Sequence, residues 1–209
     1  MAQIFVSHSK EDKDIRLFFG DIFGKTRVED RFIEYEKYQP PAWNYIQQEI
    51  AKSVALFVLL GQNVQRLAHT QVWIGSETGA VPSGKEVWVF EHLQQICDVP
   101  IPNVHHYMLY NYDMAFHDYI RAIVQSYDDS PTLPSALGGG AIGAAIGGPP
   151  GAIIGALVLA SITSPSRNRP GGEIIRCPNL NCQHVFRLHT KVSVLPCPVC
   201  RQRMSVNWS

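Results

Sequence analysis

Four cysteines near the end of the chain have the spacing of a metal site. Cys177 and Cys182 form one pair, Cys197 and Cys200 form a second pair, and 14 residues separate the two pairs. Four thiolates in two such knuckles form a closed tetrahedral zinc site, structural in type because no position stays open for water. A segment of about 35 residues buries too little surface to fold alone. The spacing therefore predicts a zinc ribbon over residues 173–209 that its metal holds folded.

Glu77 and Trp73 are the second set of candidates for chemistry. Glu77 lies four residues after Trp73, so both lie on one face of a predicted helix. A carboxylate in a pocket can stabilise positive charge on a reacting ligand, and the indole could form a wall that excludes water. The plainer interpretation is a solvated glutamate and a core tryptophan. The pattern alone does not choose between the two.

Ser7, His8 and Trp43 complete the candidate ligand-binding residues. Ser7 and His8 come directly after the first predicted strand, where they could contact a phosphate or a base. The alternative for Ser7 is that its hydroxyl only caps the turn. Trp43 could stack on a ring of the ligand, although packing in the core is the favoured interpretation.

The elements that must position these residues follow from hydrophobic periodicity. Short apolar runs alternate with helix-period stretches, and the predicted strands are Ile4–Val6, Phe32–Ile33 with Tyr35, Val54–Leu60, Val87–Phe90 and Tyr107–Leu109. The unbroken run Val54–Leu60 is typical of a strand buried on both faces of a parallel sheet. Five strands alternating with helices predict an α/β domain with a doubly wound five-stranded parallel sheet. Ligands bind beyond the carboxyl ends of the strands in such sheets, where Ser7 and His8 fall.

Residues 134–164 have a different character, which we call the glycine zipper. No charged residue occurs from Ser130 to Ser166, and glycines recur every four residues from Gly139 to Gly155. Small residues at this spacing let helices approach closely, and the prolines at positions 149 and 150 favour two short helices in a hairpin. Membrane insertion or association is the favoured interpretation. Self-association, packing on the first domain and a low-complexity linker are the alternatives.

Charge is divided unevenly along the chain. Residues 1–130 carry 11 Lys and Arg against 17 Asp and Glu, and residues 131–209 carry 7 against 1. A basic tail can contact nucleic acid or anionic lipid, but a solvated tail, or one that rests on the acidic body, is the favoured interpretation. The opening residues have no secretory-signal pattern, and clustered cysteines suit a reducing compartment. We therefore expect a cytoplasmic protein, with membrane attachment left open.

Three segments resemble the Toll/interleukin-1 receptor (TIR) family, in an order that covers nearly all of residues 1–130. The first is IFVSHSKED, a strand followed by a serine-containing turn. The second is PAWNYIQQEIAKSVALFVLLGQN, which leads into the third strand. The third is VWIGSE, which resembles that family's Trp-x-x-x-Glu element. The resemblance implies a TIR domain over residues 1–128 with the flavodoxin-like fold of the family.

The function implied by this resemblance is cleavage of NAD⁺. Many TIR domains are NAD-cleaving enzymes in which the Glu of the Trp-x-x-x-Glu element is essential, and Glu77 occupies that position. Nicotinamide leaves as a neutral pyridine, so positive charge develops on the ribose, and one carboxylate can stabilise it. The resemblance implies an NAD⁺ nucleosidase of immune or defence signalling, activated by self-association through the TIR domain and the glycine zipper.

Two other functions stay open at this stage. The first is a non-enzymatic TIR adaptor or scaffold that the glycine zipper tethers. The second is nucleic-acid binding by the zinc ribbon. We favour this one less, because Phe186 and Trp208 are the few aromatic residues there that could stack on bases.

Overall fold

A computed structural model of the protein describes residues 1–33, 43–128 and 171–208. The strands in these ranges are β1 (Gln3–Ser7), β2 (Glu29–Phe32), β3 (Ala55–Leu60), β4 (Glu86–His92), β5 (His106–Tyr110), β6 (Glu173–Arg176), β7 (Val185–Leu188), β8 (Val194–Pro196) and β9 (Arg203–Ser205). The helices are α1 (Lys13–Gly24), α2 (Trp43–Lys52), α3 (Gln62–Arg66), α4 (Ala68–Gly79) and α5 (Met114–Gln125). The predicted glycine zipper, residues 134–164, lies outside the described residues.

The fold is α/β and is built on a mostly parallel sheet. The strand order is β2-β1-β3-β4-β5-β7-β6, and β8 and β9 form a separate antiparallel pair. Pairing is parallel from β1 to β3, from β3 to β4 and from β4 to β5. Every residue of β3 is buried, as expected for a central strand covered on both faces. The parallel pairing brings the carboxyl ends of these strands to one edge.

The sheet has seven strands, so the prediction of five was wrong in number. The additional strands come from the C-terminal segment, where β7 pairs in parallel with β5 and β6 pairs antiparallel with β7. A lone β5 edge would present unpaired backbone groups, and β7 covers it. Arg187 N donates to His105 O and His189 N donates to Tyr107 O. The alternating pattern of β7 indicates a strand but does not name its partner.

The second strand lies earlier than its predicted position. The sequence predicts Phe32–Ile33 with Tyr35, and the strand runs from Glu29 to Phe32, with all four residues half-buried. Three of its four residues are charged, so hydrophobic periodicity gives no strand signal there. Residue 35 lies outside the described part.

The chain forms two compact units, of which the first carries the sheet. It comprises Gln3–Leu17, Asp30–Tyr110 and Gly172–Ser209. One hydrophobic cluster includes buried residues of the main strands and of the C-terminal segment, among them Phe5, Leu56, Val89, Tyr107, Phe186 and Cys197. The C-terminal strands therefore share the core of the α/β unit.

The second unit comprises, among the described residues, Met1–Ala2, Phe18–Glu29, residues 111–128 and Gly171. Within it, the ring of Phe18 contacts the rings of Tyr112 and His117 edge-on. His117 Nε2 lies 2.8 Å from Asp21 Oδ2. The buried residues of α5 include Tyr119, Ile120, Ile123 and Val124, as its periodicity predicts. No helix among the described residues has the length and apolar character needed to cross a membrane.

A close approach at Gly61 sets the turn between β3 and α3. A Cβ on Gly61 would lie 2.2 Å from Asp12 Oδ2, so a larger residue here would displace the Asp12 carboxylate. Asp12 Oδ1 accepts hydrogen bonds from the backbone N and the side-chain amide of Asn63. Gly61 has no side chain that could cap the N-terminus of α3. The carboxylate of Asp12 therefore caps this helix from another part of the chain. This turn leads the chain towards α4.

Candidate active site and metal centre

The sheet has a switch point between β1 and β3. The strand that follows β1 in the chain, β2, lies on one side of it, and β3 lies on the other. Connections diverge at such a point and leave a crevice beyond the carboxyl ends of the strands. Ser7 is the last residue of β1, and α4 enters the same region after β3 and α3.

Ser7 and Glu77 meet at this crevice although 70 residues separate them. Ser7 Oγ donates a short hydrogen bond to Glu77 Oε2. Ser7 is buried, and Glu77 on α4 is half-buried. Among the described residues, the Ser7 hydroxyl is the hydrogen-bond donor to the Glu77 carboxylate, and no cation pairs with that carboxylate.

Burial changes the protonation of Glu77. Removal from water raises the pKa of its carboxyl from the ordinary 4.5 to about 7, and the hydrogen bond from Ser7 opposes that rise. Glu77 therefore exchanges its proton near neutral pH. Groups with this property in a cleft are candidates for catalysis.

A pocket of about 650 Å³ lies over the Ser7–Glu77 pair. Its apolar wall includes Ile33, Ile46, Trp73 and Ile74, and its polar wall includes Ser7, His8, His69, Thr70 and Glu77. Pockets that hold cofactor-sized molecules have roughly 300–1,000 Å³ and this mixture of apolar surface with a few polar groups. The pocket has the size and lining for a small organic ligand that carries polar groups.

His8 presents a neutral imidazole at the pocket. Burial lowers the pKa of His8 to about 4. Its Nδ1 lies 3.4 Å from Val6 O, and its ring packs edge-on against Phe32. Nε2 is buried and has no hydrogen-bond partner among the described residues. With the proton on Nδ1, Nε2 is a free acceptor for a ligand donor.

The two candidate tryptophans differ in their position. Trp73 lines the pocket, whereas Trp43 is not among the described residues that line it. Their rings lie 5.6 Å apart with a tilt of 51°, and both pack against the core. Trp43 thus contacts Trp73 without being among the described residues that line the pocket.

Sequence reasoning missed Thr70 and His69, which also line the pocket. Thr70 lies seven residues before Glu77, so helical spacing places both on one face of α4. Periodicity counted back from Glu77 would have found it. Residues 34–42, which precede α2, lie outside the described residues.

The four cysteines form a cluster that could hold a metal ion. Their Sγ atoms all lie within 4.8 Å of one another. Cys177 and Cys200 have Sγ atoms 3.6 Å apart, and those of Cys182 and Cys197 are 3.9 Å apart. The edge of a tetrahedron with Zn–S bonds of about 2.3 Å is about 3.8 Å, so this donor set fits a tetrahedral ion. The fifth cysteine, Cys97, is buried outside this cluster.

The knuckle backbones hold this cluster together. Cys177 N donates to His184 O, and Cys182 N donates to Asn179 O. The side-chain amide of Asn179 lies 3.8 Å from Cys200 Sγ and can donate to a thiolate there. The centre is closed by protein ligands, which suits a structural role.

The chain matches no protein-family model and no curated protein.

Because the pKa of Glu77 is raised in the folded state, we expect the free energy of unfolding to decrease as the pH rises. Between pH 4.5 and about 7 the folded state retains the proton that the unfolded chain releases, so stability falls as pH rises through this window. Glu77→Gln cannot ionise and should remove that fall. We expect the difference in unfolding free energy, variant minus wild type, to increase by about 3 kcal/mol from pH 4 to pH 8.

Urea denaturation at several pH values measures this difference. The control is Ser76→Ala, an exposed neighbour on α4 whose hydroxyl bonds only within the helix, to Val72 O. Parallel pH profiles for Glu77→Gln and wild type would contradict the raised pKa.

Proposed function

We propose that residues 1–128 form a TIR-type domain that cleaves the bond between nicotinamide and ribose in NAD⁺, with Glu77 as the catalytic carboxylate. The observation that carries this proposal is the Ser7–Glu77 pair beneath a pocket of about 650 Å³ at the carboxyl edge of a parallel sheet. The carboxyl is removed from water, lies in a pocket and has no cation neutralising it in the described part of the chain. These are the properties needed to stabilise a cationic transition state.

The chemistry requires one carboxylate and no acid. Nicotinamide leaves as a neutral base, so no proton has to reach it. The electrons of the breaking bond leave with nicotinamide, and positive charge develops on the ribose. Ionised Glu77 stabilises this charge, and the partly dry pocket strengthens the attraction. Water then adds to the ribose carbon in hydrolysis, or another nucleophile adds in cyclisation.

The neighbouring residues have separate roles in this proposal. Ser7 orients the Glu77 carboxylate through its hydroxyl. His8 offers Nε2 as an acceptor to a ribose hydroxyl or an amide of the ligand, and Trp73 forms the apolar wall with Trp43 behind it. The roles of Ser7, His8 and Trp73 rest on the positions of their side chains at the pocket.

The strand order supports the TIR resemblance. The order β2-β1-β3-β4-β5 is that of flavodoxin-like sheets, in which ligands bind at the switch point between the first and third strands. Ser7 and Glu77 lie at this point. We propose that the strands β6 and β7 are an addition to that fold, together with the metal-binding knuckles of a zinc ribbon.

Assembly of several copies is the proposed means of activation. The resemblance implies that TIR pockets are often completed by a neighbouring copy. In this proposal, contacts between TIR domains and between the hairpins of the glycine zipper, residues 134–164, bring the pockets together. The glycine zipper also provides the proposed membrane contact.

Zinc is the metal that we propose for the four cysteines. Purified under reducing conditions, the full chain should contain one zinc ion, because four thiolates at this spacing select zinc. Cys182→Ser should lower the zinc content sharply, and Cys97→Ser should leave it unchanged. The zinc content is measured by elemental analysis, and a ratio near zero in wild type would remove the metal from the account.

Release of nicotinamide is the direct test of the proposed activity. Concentrated full-length protein, with its assembly verified by light scattering, should release nicotinamide from NAD⁺. Glu77→Gln should reduce the rate by at least about 100-fold, because a preorganised charge at the reacting centre contributes that much. Ser76→Ala is the matched control on the same helix. An assembled wild type without activity would favour the scaffold function, and equal rates for the two variants would exclude Glu77.

The pH profile of this reaction should follow the ionisation of Glu77. Because the carboxylate is the active form, kcat/KM should rise tenfold per pH unit below about 7 and level off above it. Ser7→Ala removes the hydrogen bond that lowers the pKa, so its midpoint should move up by about one pH unit. A lower plateau with an unmoved midpoint would show that Ser7 does not act through Glu77.

A further inference from the structure

Arg201 joins the metal centre to the α/β core. It directly follows Cys200, and its side chain is only 5 % exposed. Its Nη2 lies 2.9 Å from Glu91 Oε1 and 3.2 Å from Glu91 Oε2, and it also donates to Cys97 O. One guanidinium nitrogen therefore reaches both β4 and the connection that follows it.

Glu91 is the buried partner of this arginine. It lies near the carboxyl end of β4, opposite Leu60 of β3, and its side chain has no exposed surface. Besides Arg201, it accepts hydrogen bonds from the backbone N of Cys97 and from the hydroxyl of Tyr107. Its charge is thus held by a cation and two further donors, as a buried carboxylate requires.

The knuckle turn aims Arg201 at this carboxylate. Arg201 has a φ of 59°, in the left-handed region that a long side chain rarely adopts. The turn is closed by Arg201 N donating to Cys197 O and by Cys197 N donating to Gln202 O. The same turn that presents two thiolates to the metal therefore fixes the direction of the arginine.

The knuckle also binds the β4–β5 connection through its backbone. Ile101 N donates to Pro198 O at 2.9 Å, and Pro198 lies between two of the cysteines. Cys97 Sγ donates to Gly61 O at 3.0 Å, in the turn that leads to α3 and α4. Residues 93–105 are thus held between the metal knuckle and the edge that carries the candidate active site.

We propose that metal binding by the four cysteines orders the carboxyl end of β4 and residues 93–105 through Arg201, so that metal occupancy controls this edge of the sheet. Without the ion, the thiolates no longer fix the turn, and Glu91 loses the cation that its burial requires. Coupling of this kind is reciprocal, so loss of the Arg201–Glu91 pair also weakens metal binding. The proposal depends on the metal site and is independent of NAD⁺ cleavage.

Hydrogen exchange of the full-length wild type tests the proposal. Exchange is compared between zinc-loaded protein and protein treated with a chelator under reducing conditions, with zinc content measured in both. The amides of Cys97 and Ile101 are direct reporters, because they donate to Glu91 and to Pro198. Both should exchange at least tenfold faster without zinc, whereas β1 (Gln3–Ser7) should keep its protection.

Three results would overturn the proposal. The first is a protein that binds no zinc. The second is faster exchange confined to residues 173–208. The third is loss of protection throughout the sheet, β1 included, which would make the metal a requirement of the whole fold.

A pair of variants separates Arg201 from the metal ligands. Zinc-loaded Arg201→Gln should retain the ion, exchange Cys97 at least tenfold faster, and release zinc to a chelator at a lower chelator concentration than wild type. Arg203→Gln, an exposed arginine two residues away, should match wild type in both measurements. Wild-type behaviour of Arg201→Gln would contradict the proposal. If that variant does not fold, the exchange comparison of wild type with and without zinc decides.

Discussion

The interaction on which this account depends is the hydrogen bond between Ser7 and Glu77 at the carboxyl edge of the sheet. Parallel pairing of β1 with β3 brings the end of the first strand next to the helices that follow the third. The carboxyl of Glu77 is therefore taken out of water by the tertiary fold, not by its own helix. A single neutral hydroxyl cannot replace the solvation that a carboxylate loses. The pKa of the Glu77 carboxyl therefore rises to about 7.

Glu91 and Glu77 near this edge both lose contact with water, but they differ in the groups that compensate for that loss. Glu91 is fully buried and is balanced by Arg201, Tyr107 and a backbone amide, so its charge is used within the protein. Glu77 lies in a pocket and receives only the Ser7 hydroxyl in the described part of the chain. Its remaining acceptor capacity faces the pocket. A satisfied charge holds a structure together, whereas an incompletely satisfied one is available to a cationic ligand.

The C-terminal segment completes the sheet and supplies the cation that pairs with Glu91. Strand β7 covers the edge of β5, and Phe186 and Leu188 enter the core that begins with Phe5 in β1. The turn that contains Cys197 and Cys200 then places Arg201 against the connection after β4. One edge of the sheet thus carries a candidate reactive carboxyl at one strand end and, at another, an ion pair that adjoins the cysteine cluster.

The sequence predicted the features that depend on a local pattern of residues, namely the apolar strands and the cysteine cluster. The apolar runs at β1, β3, β4 and β5 identified these strands to within two residues at each end, and the cysteine spacing identified a cluster that the fold closes. It failed where the cause is tertiary. The charged strand β2 has no periodicity, and nothing in β7 specifies β5 as its partner. The Glu91–Arg201 pair, 110 residues apart, has no local signal at all. The spacing to Trp73 made Glu77 a candidate and the family resemblance implied its role, whereas its contact with Ser7 required the sheet.

The most direct test of the central claim is a carbon-13 NMR titration of the Glu77 carboxyl, assigned by its absence in Glu77→Gln. The account predicts a pKa near 7 in the free protein. A pKa near 4.5 would contradict a carboxyl that the fold withdraws from water at this edge of the sheet.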